Sequence, residues 1–217
     1  MIRLHIFDMD GTLVDNDCDV SWKVFLVNAG IAPREDLELA QRYYEEYAAG
    51  TLNFREFIRF QLREFVGKTQ AEMAELCRRH FDVMVRRKCR PGAVESVRLA
   101  KASGACTAIL SSTNTMISEP IRAFFDIDRT CGTTLELTSD GRFTGNIFGE
   151  YALGKNKVGF MLRLADELGI RPHEIAAYGD SFNDVPLLSA VGEACVVNPS
   201  EALLAEAERH RWTVLNW

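Results

Sequence analysis

The distribution of apolar and polar positions divides the chain into three stretches. Residues 2–7 form a short apolar run, which is typical of a buried strand in a parallel sheet. Over residues 15–90, apolar side chains recur every three or four positions, which predicts amphipathic helices. From residue 91 onward, short apolar runs alternate with helical periodicity. This alternation predicts a parallel sheet covered by helices on both faces.

Turn signals divide the middle stretch into four helical segments, the first marked by Val20, Val24 and Val27. Glycine or proline interrupts the pattern at 29–33, at residue 50 and at residue 67. We therefore predict an α/β fold. A three-layer, Rossmann-like core with a parallel sheet comprises residues 1–14 and 91–217, and a four-helix domain at 15–90 is inserted after the first strand.

Within residues 91–217, the periodicity predicts five helices and six short strands. The helices are predicted at 93–102, 117–125, 157–168, 184–190 and 201–210, and the strands at 105–110, 133–137, 143–148, 174–178, 194–197 and 213–215. Asp140-Gly141 lies between two of these strands, and this dipeptide is typical of a tight hairpin.

Composition narrows the functional classes. A chain of 217 residues is long enough for one core with a sizeable insertion. Its net charge of −6 disfavours a nucleic-acid partner, which usually requires a basic surface. No apolar run approaches the length of a membrane span, and the N-terminus has no signal-peptide pattern, so we expect a cytoplasmic protein without a membrane partner. The six scattered cysteines are expected to be reduced.

The first strand ends at two aspartates, Asp8 and Asp10. Ligands bind beyond the carboxyl ends of strands in open α/β sheets. Two carboxylates this close repel each other unless a cation such as Mg²⁺ lies between them, and an aspartate can also act as a nucleophile. A solvated turn is an equally ordinary interpretation of the pair. A calcium-binding EF-hand loop starting at Asp15 is excluded, because Val20 and Leu26 occupy the required Gly and Glu positions.

Polar clusters follow two further strands and begin one helix. They are residues 111–114 (Ser-Ser-Thr-Asn), residues 179–184 (Gly-Asp-Ser-Phe-Asn-Asp), and the pair Lys155 and Lys157. Singly, each also fits a helix cap, a turn or a solvated lysine. Jointly, they are expected at the same sheet edge as Asp8, where hydroxyls, backbone N–H groups and a lysine suit a phosphate.

These segments resemble the four ordered motifs of the haloacid dehalogenase-like (HAD) phosphatases. The motifs are residues 8–12, Ser111, Lys157 and residues 179–184. The resemblance covers the whole chain. The helical insertion resembles the cap of the phosphoserine phosphatase-like branch, as does the segment 140–150. The resemblance implies a Mg²⁺-dependent phosphomonoesterase whose cap encloses a small phosphorylated metabolite.

The resemblance also implies a role for each matching residue. Asp8 would attack phosphorus, and Asp10 would act as general acid and base. Mg²⁺ would be held by Asp8, by the backbone carbonyl of Asp10 and by Asp180, with Asp184 supporting the site. The phosphate would be bound by Ser111, Lys157 and Asn183, with Lys157 preferred over Lys155 because its spacing to residue 179 fits the family.

Substrate selection is predicted from weaker matches. Asp17 and Arg59 match the cap residues that bind the amine and carboxylate of phosphoserine, although Arg59 also fits a solvated basic helix face. Ser112 and Asn114 are candidate substrate contacts in a segment that departs from phosphoserine phosphatases. The substrate therefore stays open between phosphoserine, histidinol phosphate and other small phosphomonoesters. A phosphomutase and a non-catalytic phosphate-binding protein are the rival functions, and the sequence does not indicate an oligomeric state.

Overall fold

The strands form a parallel sheet and a separate hairpin. The computed structural model describes residues 1–217, apart from the side chain of Ala48. The strands are β1 Leu4–Phe7, β2 Cys106–Ser111, β3 Arg129–Gly132, β4 Thr134–Leu137, β5 Phe143–Phe148, β6 Ile175–Gly179, β7 Glu193–Val197 and β8 Thr213–Leu215. The sheet has the order β3-β2-β1-β6-β7-β8 with all neighbours parallel, while β4 and β5 pair antiparallel. The predicted hairpin at residues 140–141 is therefore confirmed.

Helices cover both faces of this sheet. They are α1 Cys18–Asn28, α2 Asp36–Ala48, α3 Phe54–Gln61, α4 Gln70–His80, α5 Pro91–Ala102, α6 Thr115–Phe124, α7 Asn156–Leu168, α8 Val185–Leu188 and α9 Glu201–His210. On one face, Leu4 and Ile6 of β1 share a buried cluster with side chains of α7, α8 and α9. On the other face, Phe7 shares a buried cluster with side chains of α5 and α6. The predicted three-layer α/β class is confirmed.

The insertion contributes α1 to α4, as predicted, but its helices pack in two ways. Trp22 of α1 and Cys77 of α4 belong to the same buried cluster as Phe7. In contrast, α2 and α3 share a smaller cluster that contains Tyr43 and Phe60. Half of the insertion therefore extends the core, while α2 and α3 form a separate layer. The domain boundaries at residues 14/15 and 90/91 remain a prediction.

Two local expectations were incomplete. In α1, the buried side chains include Trp22, Phe25 and Leu26 rather than Val20 and Val24, which line a cavity. The helix was predicted correctly, but the side of it marked by Val20 and Val24 is not the buried side. The pattern is ambiguous because α1 has apolar residues on two sides. The sequence pattern also missed β3, a short edge strand whose residues are mostly polar or partly exposed.

The β4–β5 hairpin packs on the insertion. The rings of Phe65 and Phe143 lie 5.4 Å apart, and Gly67 N–H donates to the Phe143 carbonyl at 2.9 Å. In the described chain, no helix combines the length and the apolar character that a membrane span requires.

Candidate active site

A buried lysine joins the ends of two central strands. The residue that follows β1, Asp8, lies beside the end of β6, because its N–H donates to the Tyr178 carbonyl at 2.9 Å. From the first turn of α7, Lys157 donates from Nζ to Oδ1 of Asp8 and to Oδ1 of Asp184, both at 2.6 Å. Lys157 is only 3% exposed. Its ammonium group therefore bridges the residues that follow β1 and β6.

The charges of this group depend on burial and on one another. Burial raises the pKa of Asp8 to about 6, against the opposing effect of Lys157. Burial acts to lower the pKa of Lys157, but Asp184 and Asp8 outweigh it and raise that pKa overall. Lys157 is therefore charged, and its single positive charge is shared between two carboxylates.

The next carboxylate, Asp180, packs against the turn that follows β1. Thr12 donates from Oγ1 to Oδ1 of Asp180 at 3.1 Å. Gly11 has φ +76°, and a Cβ at this position would lie 2.1 Å from Oδ2 of Asp180. A side chain at residue 11 would therefore displace Asp180, and the backbone there favours glycine. Burial raises the pKa of Asp180 to about 8, and nearby Asp8 adds to the effect.

Three of these carboxylates form a group that suits a divalent cation. One oxygen each of Asp8, Asp180 and Asp184 lie within 4.8 Å of one another. Asp184 already accepts from Lys157 through Oδ1 and from Ser181 through Oδ2. The bonds from Lys157 and Thr12 use only Oδ1 of Asp8 and Asp180. An all-oxygen set fits Mg²⁺, and Asp8 and Asp180 are better placed to bind it than Asp184.

Asp10 is held between the insertion and β2. Its Oδ1 accepts from the backbone N–H of Cys18, the first residue of α1, at 2.8 Å, and its Oδ2 accepts from Oγ1 of Thr113 at 2.8 Å. Burial raises the pKa of Asp10 well above its ordinary value, with Asp17 adding to the effect. The Thr113 N–H also donates to Oγ of Ser111 at 3.1 Å. This hydrogen-bonded group holds a protonatable carboxyl two residues from Asp8.

A cavity of about 710 Å³ opens above these residues. Its wall on the insertion side is rich in aromatic and acidic side chains, namely Tyr43, Tyr44, Tyr47, Phe57, Asp15, Asp17 and Asp19. Among the described lining residues, the cationic ones are Lys88 and Lys157. Asn183 donates from Nδ2 to Oη of Tyr47 at 2.6 Å, which joins α2 to the loop after β6. This volume suits a small molecule.

Sequence comparison agrees with this geometry. The sequence profile of the haloacid dehalogenase-like hydrolase family matches residues 6–189. The chain belongs to this family. A histidinol-phosphatase from Neisseria meningitidis serogroup C is 34% identical over 224 residues, covering 100% of both chains. A phosphoserine phosphatase from a Polaromonas species is 28% identical, covering 88% of this chain and 76% of the relative.

A solved structure extends the comparison to three dimensions. The crystal structure of a protein of unknown function from Bordetella pertussis Tohama I matches with a TM-score of 0.88 and 30% identity, covering 99% of both chains. Together with the named relatives, the family match identifies this protein as an enzyme, a HAD-type phosphatase.

The structure brings most of the predicted HAD residues to one cavity. Those that line it are Asp8, Asp10, Asp17, Ser111, Ser112, Lys157, Asp180 and Asn183. Asp184 is buried and contacts Lys157. Lys155 is exposed, so the structure favours Lys157 of the two lysines.

Two predicted substrate contacts do not line the main cavity. Arg59 is exposed on α3, where Phe57 and Gln61 face the cavity. Because each helical residue turns by about 100°, Arg59 points away from both. Asn114 is buried as the N-cap of α6, and its Oδ1 accepts from the N–H groups of Met116 and Ile117. The placement of Arg59 as a substrate contact is therefore corrected. Asn114 lines the small cavity that adjoins the main one, so its role as a substrate contact stays a prediction.

Several residues of the site have no role predicted from the sequence. They are Thr12, Asp19, Tyr47, Gln61, Thr113 and Tyr151. Thr12 and Thr113 lie within the predicted motifs at residues 8–12 and 111–114, although neither was given a role there. The others depend on which face α1, α2 and α3 turn to the core, or on the path of the loop before α7. Periodicity alone does not give that orientation.

Proposed function

We propose that this protein is a Mg²⁺-dependent phosphomonoesterase that hydrolyses a small phosphorylated metabolite through an aspartyl-phosphate on Asp8. The observation that carries the proposal is the convergence of Asp8, Asp10, Lys157 and Asp180 on one cavity. Asp8 would supply the nucleophile, and Asp10 would supply and remove the proton. A covalent intermediate divides one difficult displacement into two easier steps.

In the first step, a carboxylate oxygen of Asp8 forms a bond to phosphorus while the bond from phosphorus to the ester oxygen breaks. The leaving alkoxide takes the proton of Asp10. The raised pKa of Asp10 supports this role, because a general acid must be protonated before it can donate. The bonds from Cys18 and Thr113 would hold its carboxyl group in position.

In the second step, Asp10 takes a proton from water as the water oxygen attacks phosphorus. The bond between Asp8 and phosphorus breaks, which releases orthophosphate and restores the Asp8 carboxylate. Lys157, Ser111 and Asn183 would bind phosphate oxygens, and Asp184 would hold Lys157 in place. The carboxylates of Asp8 and Asp180 and the backbone carbonyl of Asp10 would bind Mg²⁺, which would offset the negative charges of nucleophile and phosphate.

The first candidate substrate is histidinol phosphate, which carries an amine and an imidazole but no carboxylate. The full-length similarity to a histidinol-phosphatase supports it. The cavity supports it as well, because the acidic side chains Asp15, Asp17 and Asp19 on its wall outnumber the lining cations Lys88 and Lys157. Lys157 is already paired with two carboxylates. Phosphoserine is the second candidate, favoured by the similarity to a phosphoserine phosphatase. The carboxylate of phosphoserine would be repelled by the acidic side chains Asp15, Asp17 and Asp19 on the cavity wall.

We also propose that residues 15–90 act as a cap that excludes bulk water and selects the substrate. The Tyr47–Asn183 hydrogen bond supports this role, since it joins α2 to a predicted phosphate-binding residue. A cavity of about 710 Å³ has room for a small phosphorylated metabolite.

The test is phosphate release from histidinol phosphate, phosphoserine and p-nitrophenyl phosphate, with and without Mg²⁺. We expect release that is lost with EDTA and restored by Mg²⁺, and a higher kcat/KM for histidinol phosphate than for phosphoserine. No release from any of the three would contradict the proposal and favour a phosphomutase or a non-catalytic protein. A higher kcat/KM for phosphoserine than for histidinol phosphate would make phosphoserine the first candidate substrate.

A further inference from the structure

One residue that lines the cavity carries a buried acceptor without a donor. Gln61, the last residue of α3, is 4% exposed. Its Nε2 donates to the backbone carbonyl of Asp19 at 3.1 Å, which holds α3 against α1. Its Oε1 is buried and has no hydrogen-bond partner among the described atoms. Buried polar atoms are usually paired, so an unpaired acceptor beside a binding cavity requires an explanation.

The surroundings of Gln61 indicate what it could bind. It lines both the main cavity and a small adjoining cavity of about 10 Å³, whose other walls include Asp19, Phe57, Ser112 and Tyr151. Oγ1 of Thr113 lies 3.4 Å from Oδ2 of Asp19, but it donates its single hydrogen to Asp10 at the shorter distance of 2.8 Å. An amide oxygen and a carboxylate, both short of donors, therefore line the same space.

This space favours a protonated nitrogen over other groups. A neutral donor would pair with Gln61 but leave the Asp19 carboxylate without a positive partner, whereas an ammonium or imidazolium group supplies both the charge and several N–H donors. Aromatic rings attract cations as well as apolar groups, and Phe57 and Tyr151 flank the position. We infer that Asp19 and Gln61 bind a protonated nitrogen of the substrate. The inference rests on the proposed function and identifies the residues that select its substrate.

Asp19 is better suited to this role than Asp17, although both line the cavity. Asp17 is the N-cap of α1, and its Oδ1 already accepts from the Val20 N–H at 2.9 Å. Rotating this carboxylate toward a ligand would uncap α1. Asp19 makes no capping bond in the described structure, so its carboxylate can turn to a ligand without disrupting the helix.

The experiment compares kcat/KM for histidinol phosphate with that for p-nitrophenyl phosphate, which has no protonated nitrogen. Loss of a charge-assisted hydrogen bond corresponds to about 10- to 100-fold. We expect Asp19→Asn to lower the ratio of the two constants by that factor, and Gln61→Met to lower it by about 5-fold. Thermal unfolding of each variant checks that it is folded.

Asp15→Asn is the matched control, because it removes the same charge from the cavity wall. The Asp15 side chain is 75% exposed and pairs with Nη2 of Arg90 at 2.8 Å. We expect the substrate ratio of this variant to change by less than about 3-fold, as for an exposed ion pair. An equal change in Asp15→Asn and Asp19→Asn would overturn the inference in favour of a general effect of negative charge.

Calorimetric titration with histidinol separates the inference from the proposed function. Tenfold weaker binding of histidinol to Asp19→Asn than to the wild type supports the inference, even if neither protein releases phosphate. A failure of both proteins to release phosphate would refute the phosphatase mechanism, not the inference about Asp19 and Gln61. The inference is overturned if the wild type does not bind histidinol, or if Asp19→Asn and Gln61→Met bind it as well as the wild type does.

Discussion

The two walls of the cavity are built in different ways. On the core side, charged residues follow strand ends and are tied to one another, as Lys157 is to Asp8 and Asp184. On the insertion side, aromatic rings and the acceptors of Asp19 and Gln61 project from helices. Strand ends are held by sheet hydrogen bonds, so they suit chemistry that needs fixed distances. Helix faces can change without disturbing the sheet, so they suit substrate selection.

The largest expected effect is a loss of activity from a change on the core side of the cavity, which we call the core wall. Asp8→Asn removes the proposed nucleophile and should lower kcat by a factor on the order of 10⁴ or more. The isosteric amide should leave the fold intact, which circular dichroism would verify. Steady-state phosphate release from p-nitrophenyl phosphate measures the effect, and activity within tenfold of the wild type would rule out Asp8 as the nucleophile.

Lys157→Met tests whether the core wall depends on one buried charge. It leaves the carboxylates of Asp8 and Asp184 without their shared cation, so we expect a loss of about 3–5 kcal/mol in the free energy of unfolding without Mg²⁺. Urea denaturation measures it. Lys155→Met, at an exposed site two residues away, should change that free energy by less than about 0.5 kcal/mol. Similar losses in both variants would contradict the assignment of Lys157.

A third prediction concerns His80, the buried last residue of α4. Its Nε2 lies 2.9 Å from Oγ of Ser21 in α1. Burial lowers the pKa of His80 to about 4 from an ordinary 6.5. Between pH 4 and pH 6.5, the His80 imidazole therefore binds more protons in the unfolded chain than in the folded one. Its contribution to the free energy of unfolding is fully present above pH 6.5 and is lost as the pH falls toward 4. The difference corresponds to about 3 kcal/mol.

The measurement is the free energy of unfolding from urea titrations between pH 7 and pH 4. We expect His80→Gln to lose about 3 kcal/mol less than the wild type over this range. His173→Gln, which changes an exposed histidine, should follow the wild type. Parallel curves for the wild type and His80→Gln would disprove the effect of burial on His80.

The smallest effect concerns the contact between the two walls. Tyr47→Phe removes the acceptor of the Asn183 hydrogen bond. We expect kcat/KM for p-nitrophenyl phosphate to fall by about 2- to 10-fold, as for one ordinary hydrogen bond. Tyr44→Phe is the comparison, because that side chain is 46% exposed. If Tyr44→Phe is affected as strongly as Tyr47→Phe, the link between the walls has no particular role.

The sequence by itself predicted the core wall well. The apolar run before Asp8, the spacing of Asp8 and Asp10, and the polar segments after two later strands were enough to predict a common site. The physical reason is that parallel strands carry their carboxyl ends to one edge, so residues that follow separate strands can converge there. The three-layer class followed from the alternation of strands and helices, because the helices that connect parallel strands pack on the faces of the sheet.

Only the tertiary structure decided the insertion wall. Periodicity predicted helices there, but not that α3 turns Gln61 to the cavity and Arg59 to solvent. Nor did it predict that Tyr47 meets Asn183 across 136 positions of sequence. The rotation of a helix about its axis is set by packing against residues distant in the chain. A helix such as α1, with apolar residues on two sides, therefore does not reveal from its own sequence which side is buried.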